Sequence, residues 1–282
     1  MIQTEKNKRK TDQAWNKLYN RLEKEGLLRA PAQNTVRFPV SYRWFTLGAA
    51  LIGCLLYFAF SFLHRDDAPE TRNLLTELNK EKSTLVTTLE DGSIVYLARN
   101  TSLQYPEHFS PEKREVLLQG NALFDVKGNK KRPFIIETEE IRIEVIGTAF
   151  DVKNSTAQPF ELSVQRGEVK VTLKKNNESK QVKVGETVAL LSGNLHLYPT
   201  PNTIAFDRYT EQMRFKDEPL GNILHVINLH SPDLQIRTTE ELAKRPLTVA
   251  FSNNTPEAMA ELICHAFELK CTRENNILFL SE

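Results

Sequence analysis

LVTTLEDGSIVYLA, residues 85–98, decides the fold. Two apolar-alternating runs flank Asp91-Gly92, a dipeptide that closes short β-hairpins because glycine takes the positive φ such turns need. The same pattern continues in REVLLQGNALFDV (114–126), RPFIIETEEIRIEVIGTAFDV (132–152), PFELSVQRGEVKVTL (159–173), KQVKVGETVALL (180–191) and NLHLYP (194–199). Turn residues punctuate these runs at Gly120, Gly128-Asn129, Gly147, Gly167, Asn176-Asn177, Gly185 and Gly193-Asn194. Many short period-two strands with no helix among them predict an all-β unit over about residues 84–200, either a sandwich or a solenoid-like stack.

Beyond Pro199 and Pro201, which mark a linker, the periodicity mixes. Residues 205–282 read as a small α+β domain of order β-α-β-β-α-β-β. A strand around Met213 to Phe215 precedes a helix from about Glu218, with Leu220, Ile223, Leu224 and Ile227 on one face. LQIRT and LTVAFS, the latter carrying Phe251, are strands. Thr255-Pro256-Glu257 opens a second helix with proline at its first position and Met259, Leu262, Ile263 and Phe267 inward. ELKCTRE and NILFLSE close as a hairpin over Asn275-Asn276, so the two strand-helix-strand halves resemble one unit used twice.

Upstream, Trp44 to Leu63 is an uncharged run, WFTLGAALIGCLLYFAFSFL, that includes Leu51, Leu55 and Phe58. A helix of about 20 residues spans about 30 Å, the hydrocarbon thickness of a bilayer, so this run predicts a single transmembrane helix. It is too long, and too far from the amino terminus, for a cleaved signal peptide. Residues 1–43 carry ten Lys or Arg against four acids, a net of +6, and the remainder therefore carries −5. Basic residues stay on the cytoplasmic side, which predicts an inner-membrane protein with its amino terminus inside and its carboxy terminus outside. Residues 64–83 then form a juxtamembrane stalk, with a short helix over Thr71 to Lys80.

The cytoplasmic arm, residues 1–43, begins as a polar basic tail and becomes helical from Thr11 or Asp12. Trp15, Leu18, Tyr19 and Leu22 fall at i, i+3, i+4 and i+7, Arg21 can pair with Glu25, and Gly26 stops the helix. One short amphipathic helix is marginal alone in water and needs something to cover its apolar face. A groove on a cytosolic protein and an anionic lipid surface both fit a basic amphipathic helix, and the narrow stripe with Pro31 and Pro39 behind it favours the protein.

Composition narrows the function. A formal charge of +1, with 40% hydrophobic and 26% charged residues, excludes wholesale disorder and argues against direct nucleic-acid binding. GxSxG motifs and paired His–acid constellations are absent, so no enzyme and no cofactor is expected. His225 and His230 are five apart and no CxxC or HExxH occurs, which suits surface or helix-capping histidines better than a metal site. Cys264 and Cys271 are seven apart and fit either a disulfide or two buried thiols.

Five strings carry a family resemblance: LEDGSIVYLARNTSLQYPEHF, REVLLQGNALFDV, RPFIIET, IEVIGTAFDV and VQRGEVKV, in that order and spacing. They resemble the FecR family of anti-sigma regulators, single-pass proteins of the bacterial inner membrane. PLGNILHVI and LTVAFSNNTPEAMAELI resemble the extra domain of the Bacteroidetes branch, which is similar to the secretin/TonB short amino-terminal domain, and AWNKLYNRL is similar to that branch's cytosolic segment.

The resemblance implies an extracytoplasmic-function (ECF) sigma factor as the arm's partner, held through Trp15, Leu18, Tyr19 and Leu22. It implies that the periplasmic part senses the signalling domain of an outer-membrane TonB-dependent receptor, and that membrane proteases free the arm. The receptor contact falls to the final domain, marked by Leu220, Ile223, Leu224, Ile227 and Phe251. Gly92, Phe134, Gly147, Thr148, Phe150 and Gly167 carry over as fold residues with no chemistry. An arm of one helix is shorter than in many relatives. The alternative is a scaffolding envelope protein whose arm merely fixes topology.

Overall fold

The computed structural model describes residues 2–26, 57, 74–156, 158–200 and 207–282. The chain divides into two compact units, Met1–Glu70 and Thr71–Glu282. The expected span, with Trp44, Leu51, Leu55, Phe58 and Leu63, lies outside the described residues apart from Tyr57 within it, and no described helix is long and apolar enough to cross a membrane. The described part of the first unit is one helix, α1, over Ile2–Lys24. It begins nine residues before Thr11, where the sequence suggests a frayed tail, and it stops where expected, with Gly26 at φ +63°.

The second unit opens with fourteen strands. These are β1 (Leu74–Asn79), β2 (Thr84–Thr88), β3 (Ile94–Leu97), β4 (Thr101–Pro106), β5 (Arg114–Gln119), β6 (Ala122–Asp125) and β7 (Phe134–Glu137). Then follow β8 (Ile141–Val145), β9 (Ala149–Lys153), β10 (Glu161–Arg166), β11 (Glu168–Leu173), β12 (Glu178–Lys183), β13 (Glu186–Leu191) and β14 (Asn194–Pro199). The remainder is β15 (Gln212–Pro219), α2 (Leu220–Leu229), β16 (Gln235–Thr238), α3 (Glu240–Ala243), β17 (Pro246–Ser252), α4 (Pro256–Phe267), β18 (Lys270–Glu274) and β19 (Ile277–Ser281).

Two sheets form a sandwich. One has seven strands in the order β1-β4-β5-β7-β8-β11-β12, and the other has nine in the order β14-β13-β10-β9-β6-β3-β2-β15-β17. Their facing sides share one core, in which Phe124 stacks on Phe150 at 5.5 Å while Phe134 meets Phe124 edge-on. β5, β8 and β11 of the seven-stranded sheet alternate as period two demands: Arg114, Val116 and Leu118 of β5 are buried, whereas Leu117 and Gln119 are exposed.

β3 does not alternate, because both of its faces are covered. Val95 and Leu97 enter the sandwich core, while Ile94 and Tyr96, with Val86 and Leu123, belong to a second core shared with α2 and α4. β15 joins the same sheet by pairing parallel to β2, Met213 opposite Thr84 and Arg214 opposite Leu85. The nine-stranded sheet therefore runs across the linker expected near Pro199–Pro201, and the carboxy-terminal elements roof the sandwich. Their order agrees with the expected β-α-β-β-α-β-β apart from the added one-turn α3, although β16, β19 and β18 form a small sheet of their own.

Three local expectations are corrected. Thr71 to Lys80 is read as a helix from its clustered leucines, yet Leu74–Asn79 is strand β1, fully paired against β4. Buried Asn79 fixes it, its side-chain amide donating to the carbonyls of Ser83 and Leu97, both at 2.9 Å. The helix expected from about Glu218 begins at Leu220, after a bulge in β15 where Asp217 has φ +50°. Leu262, expected inward, is 44% exposed on α4, while Met259 and Ile263 are buried.

Candidate interaction surfaces

The α1 stripe is laid out as its spacing implies. Trp15 and Tyr19 are 64% and 60% exposed, Leu18 is exposed and Leu22 half-buried, and Arg21 Nε lies 3.3 Å from Glu25 Oε1. Lys17, Arg21 and Lys24 add positive charge around the stripe. Such a helix presents i, i+3, i+4 and i+7 anchors to a groove, each worth about 1.5–3 kcal/mol when fully buried.

The motif residues of the sandwich converge on a polar tie that sequence reading misses. Asp91, in the first hairpin, accepts from Ser93 N at 2.9 Å and Ser93 Oγ at 2.7 Å. Its other contact is Arg114, only 1% exposed, whose Nη1 lies 2.6 Å from Asp91 Oδ2. Arg114 also donates to the carbonyls of Arg132 at 2.9 Å, Lys127 at 2.8 Å and Ile146 at 3.2 Å, and its guanidinium sits over the Phe134 ring. The charge is thus fully partnered, as a buried cation must be. A signal was available: Arg114 occupies the inward phase of β5, in register with Val116 and Leu118.

Gly147 belongs to the same node. A Cβ there would stand 2.5 Å from the Gly128 Cα, so only glycine lets these two backbones meet. Thr148 and Phe150 are buried, and Gly167 turns β10 into β11 at φ +85°. These positions build the fold.

The carboxy-terminal residues named for a receptor contact are all buried. Leu220, Ile223, Leu224, Ile227 and Phe251 lie at 0–4% exposure in the second core, so they hold this part together. Its outward surface carries His225, with Leu229 and Leu262 at 49% and 44% exposure. His230 ends α2, its Nε2 2.9 Å from Tyr96 Oη, which ties that helix to β3. Cys264 and Cys271 form a disulfide with Cα atoms 6.4 Å apart, joining α4 to β18, so the pair is bridged.

Two buried carboxylates stand at the seam between sandwich and roof. Asp151, 2% exposed, accepts from Tyr209 Oη at 2.7 Å and Arg208 Nη2 at 3.2 Å, and burial outweighs both donors and pushes its pKa up. Glu218, 6% exposed, accepts from Asn222 Nδ2 at 2.7 Å and is likewise pushed up by burial.

Residues 77–170 match the family model described as FecR protein. Two crystal structures of a candidate anti-sigma factor from Parabacteroides distasonis ATCC 8503, at 2.50 and 1.65 Å resolution, are similar over 74% of this chain and 99% of theirs. Both are 20% identical to it, with TM-score 0.46. No curated protein matches the chain.

Proposed function

We propose that this chain is a single-pass regulator of an extracytoplasmic-function sigma factor. The arm, residues 1–43, binds the sigma factor in the cytoplasm through Trp15, Leu18, Tyr19 and Leu22. Residues 44–63 cross the inner membrane, and the unit from Thr71 onward lies in the periplasm, where the signalling domain of a TonB-dependent outer-membrane receptor contacts the outward surface of the carboxy-terminal roof. Membrane proteases release the arm with its sigma factor.

The observation that carries this reading is the exposed Trp15–Tyr19 stripe on α1, in a chain with a FecR domain. Two features support the topology: the charge of +6 before the apolar run against −5 after its start, and a disulfide that suits an oxidising compartment. The test is transcriptional. Deleting the chain in its host, or replacing Trp15 and Leu22 by Ala in a protein that still inserts, is expected to change the transcripts of one sigma factor's targets. Unchanged transcripts in both strains would reject the reading and leave the scaffold.

A further inference from the structure

A cleft of about 370 Å3 lies where the start of β2, the end of β3 and the turn at Asp207–Tyr209 meet. Lys82, Arg99, Lys153 and Arg208 line it, with Asn121 and Thr84 between them, and no carboxylate is among the described lining residues. That composition runs against its surroundings, since the chain from residue 44 onward carries a net −5.

The cations are partly preset. Arg208 is anchored by buried Asp151 at 3.2 Å and lies over the Tyr209 ring at 5.1 Å, yet half of its side chain stays exposed. Lys153 Nζ is held 2.9 Å from Glu161 Oε1. Lys82 and Arg99 make no ion pair among the described residues, so four cations less these two carboxylates leave +2 facing the cleft. Asn121 uses its Oδ1 to accept from Asn154 N, which leaves its amide N–H groups to donate.

We propose that this cleft binds the phosphate group of a phosphate monoester. A dianion balances the +2, a fixed guanidinium fork and neighbouring ammonium groups match phosphate oxygens, and the volume admits a small ester. Bound there, the anion bridges Lys82, Arg99 and Lys153 of the sandwich to Arg208 of the segment that leads into β15, beside the seam with β2.

The test uses the full chain in nonionic detergent, in phosphate-free buffer at constant ionic strength. Calorimetric titration and the thermal midpoint are followed with inorganic phosphate, glycerol 3-phosphate and, below its micellar concentration, dihexanoyl phosphatidic acid. Saturable binding of all three is expected, with the phosphatidic acid tightest if the source is a lipid headgroup and the two soluble ligands at least as tight if it is a free ester. Lys82→Glu with Arg99→Glu, both exposed positions, is expected to weaken binding about tenfold or more without lowering the ligand-free midpoint. The charge-matched control Lys175→Glu with Arg237→Glu should bind as the native chain does. Absence of saturable binding, or equal loss in control and variant, would overturn the proposal.

Discussion

Arg114 shows how much of this fold depends on one buried charge. Its partner Asp91 comes from the hairpin, its three carbonyl partners come from the β6–β7 and β8–β9 loops, and Phe134 lies beneath it. Removing one member of a buried pair leaves the other without a partner, which costs about 3–5 kcal/mol. Arg114→Ala and Asp91→Ala are each expected to lower stability by about that amount, and a double-mutant cycle in urea should show the two costs far from additive. Glu218 gives a pH-dependent counterpart. Burial raises its folded pKa above the ordinary glutamate value of 4.5, so its contribution is fully favourable below that pH and is lost as pH rises through the folded value. Glu218→Gln keeps the acceptor for Asn222 and removes the titration. The stability difference between variant and native chain should therefore grow from pH 4.5 upward and then level off, and a difference independent of pH would contradict this. At this scale the sequence was legible where residues are apolar: Phe134 and Phe150 are inward as their motif implies. Asp91–Arg114 was not, because a partner 23 positions away leaves no local period.

At the scale of elements, legibility followed whether one face or two are covered. β5, β8 and β11 of the seven-stranded sheet bury one face and alternate, so they read correctly. β1 read as a helix because Leu74, Leu75 and Leu78 sit near helical spacing, and only pairing with β4 makes them a strand. β15 was legible around Met213 and Phe215, but its place beside β2 was not, because it follows from the second core that those residues help to fill. α4 was legible from its cap: Thr255 accepts from Ala258 N, with Pro256 at the first helical position. The disulfide behind α4 has a consequence that can be measured. It closes a short loop onto β18, whose residues are all exposed and which is otherwise held by its pairing with β19. Chain-entropy arguments put such a bridge at about 2–3 kcal/mol. Cys264→Ser with Cys271→Ser should cost about that much and raise hydrogen exchange first in residues 270–274, whereas uniform acceleration across the sandwich would show that the bridge acts globally.

For the whole molecule, the division of labour lies between a compact unit from Thr71 onward and an arm whose helix exposes its aromatic stripe. The sandwich and its roof share one nine-stranded sheet, in which β15 and β17 continue from strands of the region that matches the FecR model. The arm's helix and its stripe were readable from four residues, because i, i+3, i+4 and i+7 spacing survives without tertiary context. What covers that stripe is a question of partner, and the FecR resemblance supplies the expectation of a sigma factor. The most direct measurement is a pull-down with the full chain from native host lysate, beside the Trp15→Ala, Leu22→Ala variant, with bound proteins identified by mass spectrometry. The account expects one extracytoplasmic-function sigma factor with the native chain and its loss from the variant. A sigma factor retained equally by both, or absent from both, would contradict it.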